Sequence, residues 1–211
     1  DTAAEAVADL NHVLATTARE RGQMKRVYTP AEAMPDIARR TDADIKVTPC
    51  LLGGIFKLTG NQAPMTAFGE IKGKLAYEAL ETRRFIEKHG LSQYRHNPHF
   101  PINTLLIMRG LIAARRMGVE GAYTRAVFAG MWERGLKMDD PAVVADVLTE
   151  AGLDARALLD ATQAPEVKAE LIANTEAAAA RGAFGIPTFF VGDEIFFGKE
   201  RLGQVEEQLA A

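Results

Sequence analysis

The sequence predicts an α/β protein in which strands near the two ends of the chain frame a large helical insertion. Two β-rich runs, Thr188-Phe189-Phe190-Val191 and Glu194-Ile195-Phe196-Phe197, are separated only by Gly192-Asp193, the spacing of a tight hairpin. Towards the other end, Met24 to Tyr28 and the alternating Ile45 and Val47 read as two further strands with a helical stretch between them. Across residues 61–182 apolar side chains recur at helical rather than strand period.

Each element has a local reason. Thr2 with Glu5 forms a capping box, and Ala6, Val7, Leu10, Val13 and Leu14 share a face as far as Gly22, so residues 2–21 read as an amphipathic helix. Thr29-Pro30 ends the first strand, and Pro30 opens a helix to about Arg40. Gly53-Gly54 and Gly60-Asn61 bracket a short segment. Met65, Phe68, Ile71, Leu75, Leu80, Phe85 and Ile86 then predict one long helix stopped by Gly90. The run from Ile102 to Met117 is apolar almost all round and predicts a central buried helix. Asp140-Pro141 and Asp154 are N-caps for helices through Leu148 and Leu159, and Pro165 starts another with Val167, Leu171 and Ile172 inward. A last helix carries Leu202, Val205 and Leu209 on one stripe.

Strand-helix-strand, helices, then hairpin-helix is the element order of a thioredoxin-like core with a large inserted all-helical domain. The expected organisation is a discontinuous core from 24–60 and 183–211, a helical insertion over 61–182, and an atypical N-terminal helix over 1–23.

Composition narrows the function. At 211 residues with 47% hydrophobic and 25% charged residues, the chain can bury a core without disulfides or metal. A net charge of −3 gives no pull toward nucleic acid or anionic membrane, so a small molecule or a protein is the expected partner. A single cysteine, Cys50, excludes an internal disulfide and a CxxC redox pair, and suits a reducing cytoplasm. No apolar run approaches the roughly 20 residues of a membrane span. The first residues carry acids rather than the pattern of a secretory signal, so the expected location is cytoplasmic.

Most of the usual chemical motifs are missing. His96 and His99 flank Pro98 in a polar loop without nearby acids, a weak zinc pattern read as solvent-exposed histidines, and His12 and His89 add nothing to it. No metal site is expected. The one serine, Ser92, has no GxSxG around it, and neither GxGxxG nor a phosphate-loop Gly-Lys-Ser/Thr occurs. Arg39-Arg40, Arg83-Arg84 and Arg115-Arg116 are spread over separate helices and read as solvated faces. Cys50, at a strand end, reads as a small buried hydrophobe rather than a reactive thiol.

Pro187 is more informative. A proline directly before a strand removes a ladder donor and holds the preceding residue extended, so Ile186 can present its backbone N–H and C=O to an extended peptide ligand. A plain turn proline at a strand start is the alternative.

The neighbours of Pro187 carry a resemblance. Leu51-Leu52-Gly53-Gly54-Ile55-Phe56-Lys57-Leu58-Thr59-Gly60-Asn61-Gln62-Ala63-Pro64, Phe100-Pro101-Ile102-Asn103-Thr104, Phe184-Gly185-Ile186-Pro187-Thr188-Phe189-Phe190-Val191-Gly192-Asp193 and Phe197-Gly198-Lys199-Glu200-Arg201-Leu202 follow one another in family order and spacing. From Pro35 to the C-terminus the chain resembles the 2-hydroxychromene-2-carboxylate isomerases, which belong with the kappa-class glutathione transferases in the DsbA-like thioredoxin superfamily. The resemblance implies a glutathione-dependent isomerase that interconverts 2-hydroxychromene-2-carboxylate and trans-o-hydroxybenzylidenepyruvate in naphthalene breakdown. It also implies glutathione as cofactor, held between core and insertion, an aromatic keto acid as substrate, and a homodimer. The implied mechanism is addition of the thiolate to the conjugated system, rotation about the former double bond, and departure of the thiolate.

The same resemblance assigns residues. Asn61 matches the ligand-binding asparagine after the Gly-Asn turn, and Lys72 before Gly73 matches the family lysine. Ile186 before a cis Pro187 matches the residue whose backbone holds the cysteinyl part, and Glu200-Arg201 match the acidic-basic pair at the start of the last helix. Charge agrees: a lysine can pair with the glycyl carboxylate, an acid with the γ-glutamyl ammonium, and helix N–H groups with the α-carboxylate. Read singly, Asn61 caps a turn, Lys72 and Arg201 are exposed charges, and Glu200 is a first-turn acid.

The N-terminus departs from the family. The family's opening Phe-Asp-Phe-x-Ser-Pro, whose serine stabilises the glutathione thiolate, is absent, and residues 1–34 do not align. Thr29-Pro30 stands nearest to the Ser-Pro position, which makes Thr29 the candidate catalytic residue. Either its hydroxyl takes the serine's work or the thiol site is altered, and a shifted reading frame upstream of Pro35 would leave the same mismatch. A kappa-like glutathione transferase and a catalytically silent thioredoxin-fold binding protein are the alternatives.

Overall fold

The computed structural model describes residues 45–210. The expectations for the helix over 2–21, the strand at Met24 to Tyr28, the helix from Pro30 and the candidate Thr29 lie outside the described residues.

In chain order the helices are α1 (Leu52–Thr59), α2 (Pro64–Ala67), α3 (Lys74–Lys88), α4 (Leu105–Arg116), α5 (Glu120–Trp132), α6 (Pro141–Glu150), α7 (Ala155–Ala161) and α8 (Pro165–Ala180). Strands β1 (Thr188–Val191) and β2 (Glu194–Phe197), a 3-10 turn (Lys199–Arg201) and α9 (Leu202–Leu209) follow. The chain divides into two compact units. One contains Ile55–Leu91 and Ala178–Ala211, with 45–48 of the preceding stretch, and the other contains Pro49–Gly54 and Ser92–Ala177.

The first unit holds the hairpin. β1 and β2 pair antiparallel with Thr188 opposite Phe197 and Val191 opposite Glu194, the register that the Gly192-Asp193 turn dictates. Every residue of β1 is buried, and Phe189 and Val191 form a core with Leu202, Val205 and Leu209 of α9, which places the predicted stripe inward. Ile45 packs on the same cluster, although residues 45–51 carry no regular element. A strand needs a ladder partner as well as an alternating pattern, and the neighbour expected for this one, 24–28, is outside the described residues.

The long helix expected from Met65 to Ile86 is two helices. Apolar period runs through both, but Gly69 and Gly73 break the backbone between them. A Cβ on Gly69 would stand 2.7 Å from the Met65 carbonyl oxygen, and Gly73 takes φ +83°, a left-handed conformation open to glycine. Turns closed by Ile71 N–H to Phe68 O and Lys74 N–H to Ile71 O fill the gap, and Lys72 lies on this connection.

The second unit is the helical bundle. Its central helix α4 starts at Leu105, later than the apolar run begins, because Asn103 Oδ1 accepts the Leu105 N–H after the cis Phe100–Pro101 bond. Ile107, Gly110, Ile112, Ala113 and Ala114 are its buried residues. α5 packs on it so closely that a Cβ on Gly110 would lie 2.0 Å from the Tyr123 hydroxyl, which donates to the Ile107 carbonyl. Asp140 and Asp154 accept from Ala142 N–H and Ala157 N–H, the two caps the sequence predicted. On α8, Val167 and Leu171 are buried against Ile112, but Ile172 is 57% exposed, so the expected inner face is narrower by that residue. Adjacent residues on a helix point about 100° apart, and a face centred on Val167 and Leu171 leaves Ile172 outside.

An aromatic group gathers around Trp132, the last residue of α5. Trp132 stacks on Tyr94, with ring centroids 6.0 Å apart and planes 17° apart, and meets Phe100 at 6.0 Å. Asn97, fully buried, fastens the loop beneath it by donating to the carbonyls of Met131 and Leu136.

Candidate functional site

The segment ahead of β1 is the centre of the candidate site. The Ile186–Pro187 bond is cis, as the sequence reading expected. The Pro187 carbonyl accepts the Gly198 N–H at 3.0 Å, and the Thr188 hydroxyl donates to the Gly185 carbonyl at 2.7 Å. Ile186 lies between these bonds, half-buried, with its own N–H and C=O in no hydrogen bond among the described residues. A backbone donor and acceptor pair left free beside a strand is what an extended peptide needs in order to dock.

Asn61 supports this segment from the Gly60-Asn61 turn. Its Nδ2 donates to the Phe184 carbonyl at 2.7 Å, and its Oδ1 accepts the N–H of Gln62 at 2.8 Å. The Phe184 ring packs on Phe197 with centroids 4.6 Å apart, and Gly185 is required there because a Cβ would come within 2.8 Å of that ring. Asn61, Ile186-Pro187 and the turn after β2 are thus one connected set of contacts within one unit.

Glu200 and Arg201 follow on the 3-10 turn, both exposed. Glu200 Oε1 contacts the Lys199 ammonium, while Oε2 has no hydrogen bond among the described residues. Arg201 N–H donates to the Gly198 carbonyl, and its guanidinium pairs with no carboxylate among the described residues. Lys72 is exposed, and no hydrogen bond, ion pair or ring contact ties it to the other candidates. Its neighbour Lys74 is occupied by Glu78 at 2.6 Å and lies over the Phe68 ring.

Two groups beside the set were not singled out from sequence. Lys199 lies 4.6 Å from the Phe85 ring centroid, and burial holds its ammonium below the ordinary lysine range against the pull of Glu78 and Glu81. The Phe184 and Phe197 pair is 45% and 43% exposed, an apolar surface at the mouth of the segment. Alternation on β2 was the available signal: with β1 entirely buried, outward Ile195 and Phe197 mark a strand face left for something other than core.

Other candidates stand as follows. Cys50 is buried, its Sγ meets the Asn174 carbonyl at 3.5 Å, and burial pushes the thiol up to about 11, which keeps it protonated at neutral pH. His96 and His99 are exposed in their loop. His89, by contrast, is buried against Phe85, and burial together with Lys88 and Lys199 holds it below the ordinary histidine range. Among the described residues no cluster of three His, Cys, Asp or Glu side chains is placed to hold a metal, and no helix is long and apolar enough to cross a membrane.

A cis-proline directly ahead of a buried hairpin strand, a C-terminal helix on that hairpin and a separate helical unit define a protein of the thioredoxin superfamily in its DsbA-like form. A family model described as a DSBA-like thioredoxin domain matches residues 27–210, and the chain belongs to that family. Within it, the chain is 28% identical over 184 residues to the 2-hydroxychromene-2-carboxylate isomerase of Sphingobium xenophagum, covering 86% of this chain and 91% of that protein. It is 27% identical over 184 residues to the enzyme of the same name from Pseudomonas putida, covering 86% and 87%. It is 29% identical over 159 residues to human glutathione S-transferase kappa 1, covering 68% and 66%. A solved structure of 2-hydroxychromene-2-carboxylate isomerase superposes with a TM-score of 0.69 at 24% identity, covering 83% of this chain and 84% of that one, which shows the shared fold. The resemblance read from the motifs is borne out, and so is the fold class.

Proposed function

We propose that this chain is a glutathione-dependent isomerase that interconverts 2-hydroxychromene-2-carboxylate and trans-o-hydroxybenzylidenepyruvate, working in the cytoplasm as a homodimer in aromatic breakdown. The observation that carries the reading is Ile186, whose backbone donor and acceptor stand free beside cis Pro187 while Asn61 fixes the loop before it. The names of the relatives support the reaction class.

The residues present fit glutathione. Ile186 would pair with the cysteinyl backbone as an added strand residue. Glu200 keeps Oε2 for the γ-glutamyl ammonium, Arg201 offers a cation for the adjacent carboxylate, and Lys72 is uncommitted and can take the glycyl carboxylate. Bound glutathione supplies a thiolate nucleophile that can make the substrate's rotating bond single for a time. The chain's own task is to hold the tripeptide by its ends, to keep Ile186 extended, and to favour the ionised thiol, the role assigned to the Thr29 hydroxyl.

Following the absorbance of trans-o-hydroxybenzylidenepyruvate with the protein, with and without glutathione, tests the proposal. Interconversion that requires glutathione supports it. Its similarity to the human kappa transferase favours one second reading, conjugation of electrophiles, and turnover of a chloronitrobenzene without isomerisation would select that instead. Glutathione binding with neither activity would select a silent binding protein.

A further inference from the structure

Arg109 is a half-buried cation of the helical unit with no carboxylate partner among the described residues. It lies mid-way along α4, where helical spacing sets it beside Leu105 and Leu106 one turn back and Ile112 and Ala113 one turn on, the last two at 0% and 1% exposure. Its Nε is withdrawn from solvent and has no hydrogen-bond partner, while its terminal nitrogens, also without a protein acceptor, keep contact with solvent. Other arginines of this unit are matched to carboxylates: Arg115 to Glu120 at 2.7 Å, Arg116 to Glu170 at 2.6 Å, and Arg134 to Glu150 at 2.7 Å. Arg95 and Arg125 also lack a carboxylate partner among the described residues but are exposed, whereas Arg109 is half-buried and its Nε is closed to solvent.

A buried donor left unmade is costly, and a ligand or an ordered water can complete it. We infer that Arg109 is a carboxylate-binding residue: its guanidinium receives the carboxylate of a small organic acid whose remaining body is apolar. A planar guanidinium matches a carboxylate with two parallel N–H···O bonds, one of them from Nε, and low polarity around it strengthens both. Ile112 and Ala113 are closed into the core, and the half-buried Leu105 and Leu106 one turn back are the apolar neighbours that suit an aromatic or unsaturated body better than a sugar or phosphate ester. The site stands on Arg109 and does not depend on the proposed isomerase reading.

The test uses the whole chain and trans-cinnamate, an aromatic acid that needs no isomerase chemistry, with its neutral amide as control. Quenching of the Trp132 fluorescence or calorimetry gives the affinities, and glutathione affinity and the thermal midpoint are read on the same samples. The wild-type protein is expected to bind cinnamate more tightly than cinnamamide, Arg109→Met to lose about ten- to a hundredfold in cinnamate affinity with the amide unchanged, and Arg109→Lys to keep part of it. The unliganded midpoint of Arg109→Met should be equal or higher, since a buried donor without a partner is removed. Equal cinnamate affinity in wild type and Arg109→Met, no preference for the acid over the amide, or a lower midpoint with unchanged binding overturns the inference. Isomerase assays separate the two ideas: acid selectivity lost in Arg109→Met without isomerisation by the wild type leaves the site and removes the reaction, while isomerisation with equal cinnamate affinity in wild type and Arg109→Met leaves the reaction and removes the site.

Discussion

Asn61 Nδ2 donates to the Phe184 carbonyl across 2.7 Å, joining residues 123 positions apart in sequence. With Oδ1 turned to the Gln62 N–H, each amide atom makes one hydrogen bond within the protein and keeps a second donor or lone pair. In the proposed function Asn61 would serve glutathione through the loop it holds, whose next backbone groups are those of Ile186.

Replacing Asn61 tests that tether. Asn61→Ala should cost about 0.5–1.5 kcal/mol of stability, the value of one hydrogen bond, and should also lower glutathione affinity because Ile186 loses its fixed position. Asn61→Asp keeps the acceptor for Gln62 and removes the donor to Phe184, so it should match the alanine variant in affinity. Calorimetric titration with glutathione and denaturant unfolding measure the two effects, and wild-type affinity in both variants would remove the tether from the binding account.

Lys72 is uncommitted, so its replacement should affect a ligand and little else. Lys72→Ala is expected to weaken glutathione binding by about 1–3 kcal/mol, with stability unchanged. Raising the salt concentration should narrow the difference, since the contact is exposed and screened. An unchanged affinity at low salt would leave the glycyl carboxylate without this partner.

Thr29 calls for a kinetic test. If its hydroxyl serves the thiolate, Thr29→Ala should reduce turnover with glutathione affinity nearly intact, and the thiol of bound glutathione should titrate closer to a free thiol near about 8.5. If it only caps a helix, the variant should lose about 0.5–2 kcal/mol of stability and keep the thiol titration of the wild type. Absorbance of the bound thiolate against pH distinguishes these.

Gly110 and Tyr123 test packing in the helical unit. Gly110→Ala places a methyl carbon where the Tyr123 hydroxyl now stands, which should cost about 1–3 kcal/mol by overpacking. Tyr123→Phe should cost about 1 kcal/mol by loss of the bond to the Ile107 carbonyl. The two sites touch, so the double variant should cost less than the two single changes added together, measured by urea unfolding.

Cys50 gives a pH dependence with a definite sign. Its folded thiol titrates at about 11, above the ordinary value of 9.0, so the unfolded chain loses this proton first as pH rises. Its contribution to stability is therefore complete below pH 9 and declines between there and about 11. Cys50→Ala should flatten that part of the stability curve. Alkylation at pH 8 should be slow in the native protein and fast in denaturant.

Local chemistry was legible and long-range placement was not. Asp140 and Asp154 cap helices through their own backbone neighbours, and Gly192-Asp193 fixes the hairpin register, so a few residues decide each outcome. Ile186 was legible for the same reason, because a following proline constrains it. The division of the helix expected from Met65 to Ile86 was hidden by an unbroken apolar period, although Gly69 and Gly73 were in view. Ile172 looked inward because apolarity does not say how wide a buried face is. The contacts of Asn61 with Phe184, of Phe184 with Phe197 and of Lys199 with Phe85 join segments distant in sequence, and no spacing rule announces them. Arg109 stayed unseen since an arginine mid-helix reads as solvent-facing until its neighbours are known.

The position of Trp132 sets what optical spectroscopy can follow. It is the only tryptophan in the chain, and it is sandwiched near Tyr94 and Phe100 in the helical unit. Emission excited at the red edge of its absorption therefore originates from that unit alone, while the far-ultraviolet dichroism sums over both. Coincident melting curves from the two signals would mean that the units unfold together. A dichroism change without an emission change would belong to the unit of the hairpin, Asn61 and Ile186, so one cuvette can resolve the loss of the candidate glutathione site from the loss of the bundle.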